Sequence, residues 1–365
     1  MAEPRLPRHI KTLDSMRAIS SLAVFASHIV QIFWLPLVGV HTPIYQVNSL
    51  LSETAVIVFF LLSGYLIAMS IRKNIVTNSY FMLSDFAAAR AARIYPPLIF
   101  AILVSLGVFY LIKLASLAGV STPLQNPSDL YSARDLIALK PSEIARSLLM
   151  IGGLLEINGP LWSLYIEVPL YAAAGVAAMA LKGRGQIGRA CAIIVFAALV
   201  WFIVERNYTY YAVWWLIGAI FFLYQIIRNC LVWFAGSVLG IAVLYLSPAT
   251  PTVEVVRLCA MFAISYAMFF VWTWESWWLE EISGISYKLY LIHFPLLILG
   301  YSVFVSLHSA EPPSLESRLL ATLLSFLTAF TVAWFVGAYV ENTKRFQRLI
   351  FALARFPFRN LTAGM

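Results

Sequence analysis

Apolar runs of about 20 residues, the length a helix needs to cross a bilayer, recur along most of the chain. Taken at that spacing they predict about ten helices, centred near Val24, Phe60, Val104, Gly175, Ala197, Ile217, Gly240, Ala263, Pro295 and Thr328. The first run, residues 13 to 30, breaks the pattern because an acid, a guanidinium and an imidazole interrupt it. Arg17 and His28 are eleven residues apart, which returns to within about 20° of one helical face roughly 16 Å further along the axis. Asp14 and Ser21, three before and four after Arg17, fall on the same stripe. Ionisable groups in a membrane usually face a bundle interior or a water-filled cavity and mark functional sites. A packing role stays open for each residue alone: a membrane histidine also bonds a neighbouring helix, and an arginine also snorkels to the interface.

The hydrophobic share of 61% against 12% charged residues places the chain with integral membrane proteins of the all-α class. The expected architecture is a bundle of about ten transmembrane helices with both termini cytoplasmic. Residues 1–345 would form the transmembrane domain and 346–365 a basic amphipathic cytoplasmic tail lying on anionic lipid. No small-residue cleavage site follows the basic MAEPRLPRHIK stretch, so an uncleaved first span is expected. The net charge of +8 does not call for nucleic acid, because most lysines and arginines fall on the cytoplasmic side of this scheme, where such charge reports topology. Cys191, Cys230 and Cys259 show neither disulfide nor metal-ligand spacing and read as small packing residues; no metal is expected.

Two connections are long. Residues 72 to 93 read as a cytoplasmic loop ending in a short helix, capped by Ser84 or Asp85, on which Arg90 and Arg93 share a face, with Pro96 and Pro97 just inside the next span. Residues 118 to 160 read as an outer loop able to shape a cleft or lid. Further along, Glu167 follows Ser163 by four, and Ser286, Tyr290 and His293 are spaced four and three, so each set shares a face. Ser63 and Gly64 interrupt the second span with small residues suited to close helix approach.

Five strings fall in one order and spacing: Arg17 with His28 in an LD..R context, FFLLSGYLI at 59–67, RAARIYPP at 90–97, PLWSLYIEVPLY at 160–171 and SYKLYLIHFP at 286–295. In these the chain resembles the acyltransferase-3 family of membrane O-acyltransferases, over nearly its whole length. Many relatives carry a second carboxylate directly after the glutamate, where this chain has Val168. No SGNH hydrolase-like extension is expected beyond Met365.

The resemblance implies an acyltransferase that moves an acyl group, most simply acetyl from acetyl-CoA, to a hydroxyl of a cell-surface or exported glycan or a lipid-linked saccharide. It implies a multi-pass protein of the cell inner membrane, with acyl-CoA, the saccharide acceptor and membrane lipid as its partners. His28 is the expected base, since its ordinary pKa lies nearest neutrality, with Arg17 and Glu167 as catalytic companions. Arg17, Arg90, Arg93 and Ser63 are expected at the donor, and Glu167, Tyr290, His293 and Trp162 at the acceptor. His293 is the rival to His28 as base. Two alternatives remain: O-acylation of a small molecule of the macrolide type, and a polytopic transporter for a glycoconjugate.

Overall fold

The computed structural model describes residues 10–39, 42–122, 124, 137–227, 255–259, 276–309, 313–340 and 346. The helices expected around Gly240 and Ala263, and the tail from residue 347, lie outside the described residues. Everything regular among the described residues is helical, in agreement with the all-α expectation. The principal helices are α1 (Ile10–Ile29), α2 (Leu35–Val38), α3 (Pro43–Asn78), α4 (Leu83–Leu114), α5 (Pro141–Leu148) and α6 (Leu161–Lys182). They continue with α7 (Gln186–Glu205), α8 (Thr209–Ile227), α9 (Trp277–Leu307) and α10 (Leu315–Val340). Seven stretches among the described residues are long and apolar enough to cross a membrane, and Thr209–Tyr224 is a shorter apolar helix. Eight of the ten expected centres therefore fall on helices.

The described residues form two compact units, one drawn from 1–69 and 200–290, the other from 70–199 and 291–365. In the first, α3 and α8 approach until their backbones touch. A Cβ on Gly64 would overlap the carbonyl oxygen of Trp215, and one on Gly218 would overlap that of Leu61. Small residues permit this approach, and van der Waals contact between spans then holds it, since lipid offers no hydrophobic incentive to associate. Trp215 Nε1 donates to Ser63 Oγ at 3.1 Å in the same contact. Tyr65 meets Phe222 edge to face at 5.3 Å. Ser27 on α1 donates to the carbonyl of Asn48 on α3 at 3.3 Å.

Within the first unit α1 does not pass smoothly into α2. Val30–Trp34 is a π turn, closed by the Leu35 amide reaching the Val30 carbonyl five residues back. Turns of this kind sit inside α-helices mostly as single insertions, often beside functional residues.

The second unit corrects one expectation. Residues 72–93 are not a loop with a short helix: α3 runs on to Asn78, and the arginine-bearing helix is continuous with the next span as the 32-residue α4. Its start is fixed neither by Ser84 nor by Asp85; residue Met82 takes the N-cap position and no side chain caps the helix. The turn is closed from the α3 side instead, where Asn74 donates to the Met82 carbonyl at 3.0 Å and accepts from the Met82 amide at 2.8 Å. The Phe81 amide donates to the Lys182 carbonyl at 2.8 Å, pinning the turn to the end of α6. Gly175 lets the Phe86 ring lie against the α6 backbone.

Between α4 and α6, the expected outer loop holds α5. Ser147 and Tyr165 hydroxyls meet at 2.7 Å, and Tyr165 donates to the Gly153 carbonyl at 2.8 Å. Cys191 and Cys259 are exposed rather than packed inside, and Cys230 lies outside the described residues.

Candidate functional site

The candidate residues divide between the units. In the first, Arg17 Nη1 bonds Asp14 Oδ1 at 3.0 Å, the i, i+3 geometry that the stripe on α1 predicted. The pair is partly open, with side chains 19% and 34% exposed. Ser21, on the same stripe, turns its hydroxyl back to the carbonyl of Ala18 at 2.9 Å. His28 is half-buried, two residues before the π turn begins at Val30. Ser63 accepts from Trp215 inside the α3–α8 contact. Tyr290 is buried, its ring 5.5 Å from that of Phe59. Along α9, Ser286 is buried and bonds its own helix at the Ser283 carbonyl. The buried Lys288 donates to the Gly284 carbonyl at 3.0 Å.

In the second unit α4 and α6 run antiparallel, and this brings Arg90 close enough to interact electrostatically with Glu167, Tyr171 and Arg93. Tyr171 lies eleven residues before Lys182, where α6 ends, roughly 16 Å along the axis. The arginine pair therefore stands within the layer of α4 and α6, on the spanning helix itself and not on a separate short one. Arg90 Nη2 donates to Ser70 Oγ at 3.4 Å, and its guanidinium lies over the Phe86 ring at 5.8 Å. Its Nε is buried and has no hydrogen-bond partner among the described residues. Glu167 accepts from the Tyr171 hydroxyl one turn on. His293 is fully buried. Trp162 is half-buried, and Ser163 donates to the Pro160 carbonyl at 3.3 Å. Among the described residues no three His, Cys, Asp or Glu side chains group as metal ligands.

The family model described as "Acyltransferase domain" matches residues 10–338. The chain belongs to the acyltransferase-3 family. That span holds every candidate residue above, and membership makes this membrane protein an acyltransferase by family, with an acyl donor and an acceptor as its substrates. No curated protein and no solved structure matches the chain.

For an acyltransferase-3 protein the informative grouping is Arg90 with Glu167 and Tyr171. Two cations on one helix face would repel, and a carboxylate from α6 offsets them. Tyr171 was not singled out by the sequence motifs. Its place four residues after Glu167 is the signal that would have found it.

Proposed function

We propose that the protein transfers an acyl group, most simply acetyl, from acyl-CoA on the cytoplasmic side of the inner membrane to a hydroxyl of a cell-surface or exported glycan. The observation that carries this reading is the Arg90 Nε donor, buried beside Glu167 and without a partner among the described residues. A buried donor is rarely left unmade because it forfeits its hydration, so an anionic or carbonyl oxygen from outside the protein is its natural occupant. Arg90 and Arg93 suit the phosphates of the CoA nucleotide, and Arg17, steered by Asp14, suits the pantetheine end or a phosphate. Ser63 belongs to the donor's path in this reading, while Glu167, Tyr290, His293 and Trp162 face the acceptor.

His28 takes the proton of the acceptor hydroxyl as its oxygen attacks the thioester carbonyl. The new C–O ester bond forms, the C–S bond breaks, and the departing CoA sulfur recovers the proton from the imidazolium. Purified protein supplied with labelled acetyl-CoA and membrane glycan should release CoA and label the glycan. His28→Ala should abolish both while the protein still folds into the membrane. Near-normal turnover by that variant removes His28 from the mechanism, and a wild type that releases no CoA removes the acyltransfer reading.

A further inference from the structure

Proline at 295 makes a demand that α9 does not meet by itself. In an α-helix the carbonyl of residue i accepts from the amide of i+4, and proline has no amide hydrogen; its ring also presses on that same carbonyl. Pro295 lies inside α9, so the carbonyl left over is that of Leu291. Leu291 is fully buried, so bulk solvent does not reach that carbonyl. His293 stands between these two residues.

Asn158 supplies the missing donor. The Asn158 Nδ2 donates to the Leu291 carbonyl at 2.8 Å. Its other hydrogen faces Ser105 Oγ on α4 at 3.4 Å. The orientation of the amide follows from the partner, since the flipped form would set oxygen against oxygen. Asn158 is itself fully buried and tightly held: its amide donates to the Leu154 carbonyl at 2.7 Å, and its carbonyl accepts from Leu161, the first residue of α6, at 3.2 Å. The side-chain oxygen has no partner among the described residues. A leucine would avoid that cost, so the donor is what the position needs.

We propose that Asn158 is a positioning residue for His293: by completing the hydrogen bond that Pro295 removes, it fixes the course of α9 at the proline and with it the direction of the imidazole. One side chain thereby links the entry to α6, which carries Glu167, to the stretch of α9 that carries His293. The proposal rests on the reading of His293 as an acceptor contact given above.

The test uses the full chain in detergent, with acetyl-CoA as donor probe and CoA release read by mass spectrometry. Asn158→Leu should lower kcat about tenfold or more with KM for acetyl-CoA within about twofold, the pattern of lost transition-state alignment rather than lost donor binding. Pro295→Ala restores an amide at 295, so in that background Asn158→Leu should cost about threefold or less, a large departure from additivity. Melting temperature should follow the same pattern, falling with Asn158→Leu alone and not in the Pro295→Ala background. If Asn158→Leu does not fold, a folded double variant still supports the proposal. Losses that simply multiply, or a double variant as dead or as unfolded as Asn158→Leu, overturn it. Wild-type turnover by His293→Gln overturns the reading of His293, and this proposal falls with it. An inactive His293→Gln alongside failed suppression sinks the role of Asn158 alone.

Discussion

Arg257 and Glu53, 204 positions apart in sequence, meet as an ion pair with Nη2 and Oε2 at 2.8 Å. The same guanidinium donates through Nη1 to the Tyr210 hydroxyl at 3.2 Å. The two ends of the pair are unequally placed: the arginine side chain is 4% exposed and the glutamate 25%.

That inequality predicts which half matters more. Glu53→Gln takes the negative charge from a pair whose cation stays buried, and should cost about 3–5 kcal/mol. Arg257→Met leaves a carboxylate that reaches the surface, and should cost roughly 1–3 kcal/mol. Thermal unfolding of both variants in one detergent checks the order, and the reverse order refutes the argument.

The glycines of the α3–α8 contact should be intolerant in proportion to what they touch. Gly64→Ala and Gly218→Ala each drive a methyl into a carbonyl oxygen of the facing helix, an overpacking cost of about 1–3 kcal/mol or more. Gly107, inside α4 with nothing within 4 Å of its would-be Cβ, is the control. There alanine should be neutral or stabilising by up to about 1 kcal/mol, since only helix propensity changes.

These two cases show what the sequence could and could not say. Hydrophobic run length located the helices because a bilayer imposes that length on any span, and the stripe on α1 placed Asp14 beside Arg17 because helical spacing alone decides it. Gly64 was readable as a close approach, but its partner Gly218 was not, since nothing local distinguishes a contact glycine from an idle one such as Gly107. The sequence sets the arginine pair on a short helix of its own, apart from the next span, because Pro96 and Pro97 read as a helix start, whereas α4 runs unbroken through both. Inside a bundle, neighbouring groups re-satisfy the freed carbonyls and the helix continues through. Arg90 beside Glu167, and Asn158 beside Leu291, depend on which helices become neighbours, which periodicity does not encode.

Tyr171 and Arg90 should influence turnover through Glu167. Tyr171→Phe removes the hydroxyl that the carboxylate accepts from and should lower kcat about five- to tenfold, the worth of one charge-assisted bond. Arg90→Met and Glu167→Gln should be non-additive, with a coupling of about 0.5–3 kcal/mol. CoA-release kinetics of the three variants and the double variant check this, and strict additivity would separate the two residues functionally.

Arg17 should matter for donor binding, and its bond to Asp14 should contribute little to folding. Its bond to Asp14 is partly exposed and one turn long, so Asp14→Asn should change stability by no more than about 0.5 kcal/mol. Arg17→Gln should raise KM for acetyl-CoA about tenfold or more, the loss of a charge-assisted contact to an anion. An unchanged KM would exclude Arg17 from the donor site.

The π turn at Val30–Trp34 gives the first span a spare link. A π turn is an α-helix holding one residue too many, so shortening the stretch 31–34 by one position lets the ladder close in the ordinary way while both flanks keep their facing. His28 upstream and Leu35 downstream would stay put. A deletion there, alone within that span, leaves the polar edge aimed as before, whereas the same deletion between Arg17 and His28 swings the imidazole about a quarter of a circle away from the guanidinium.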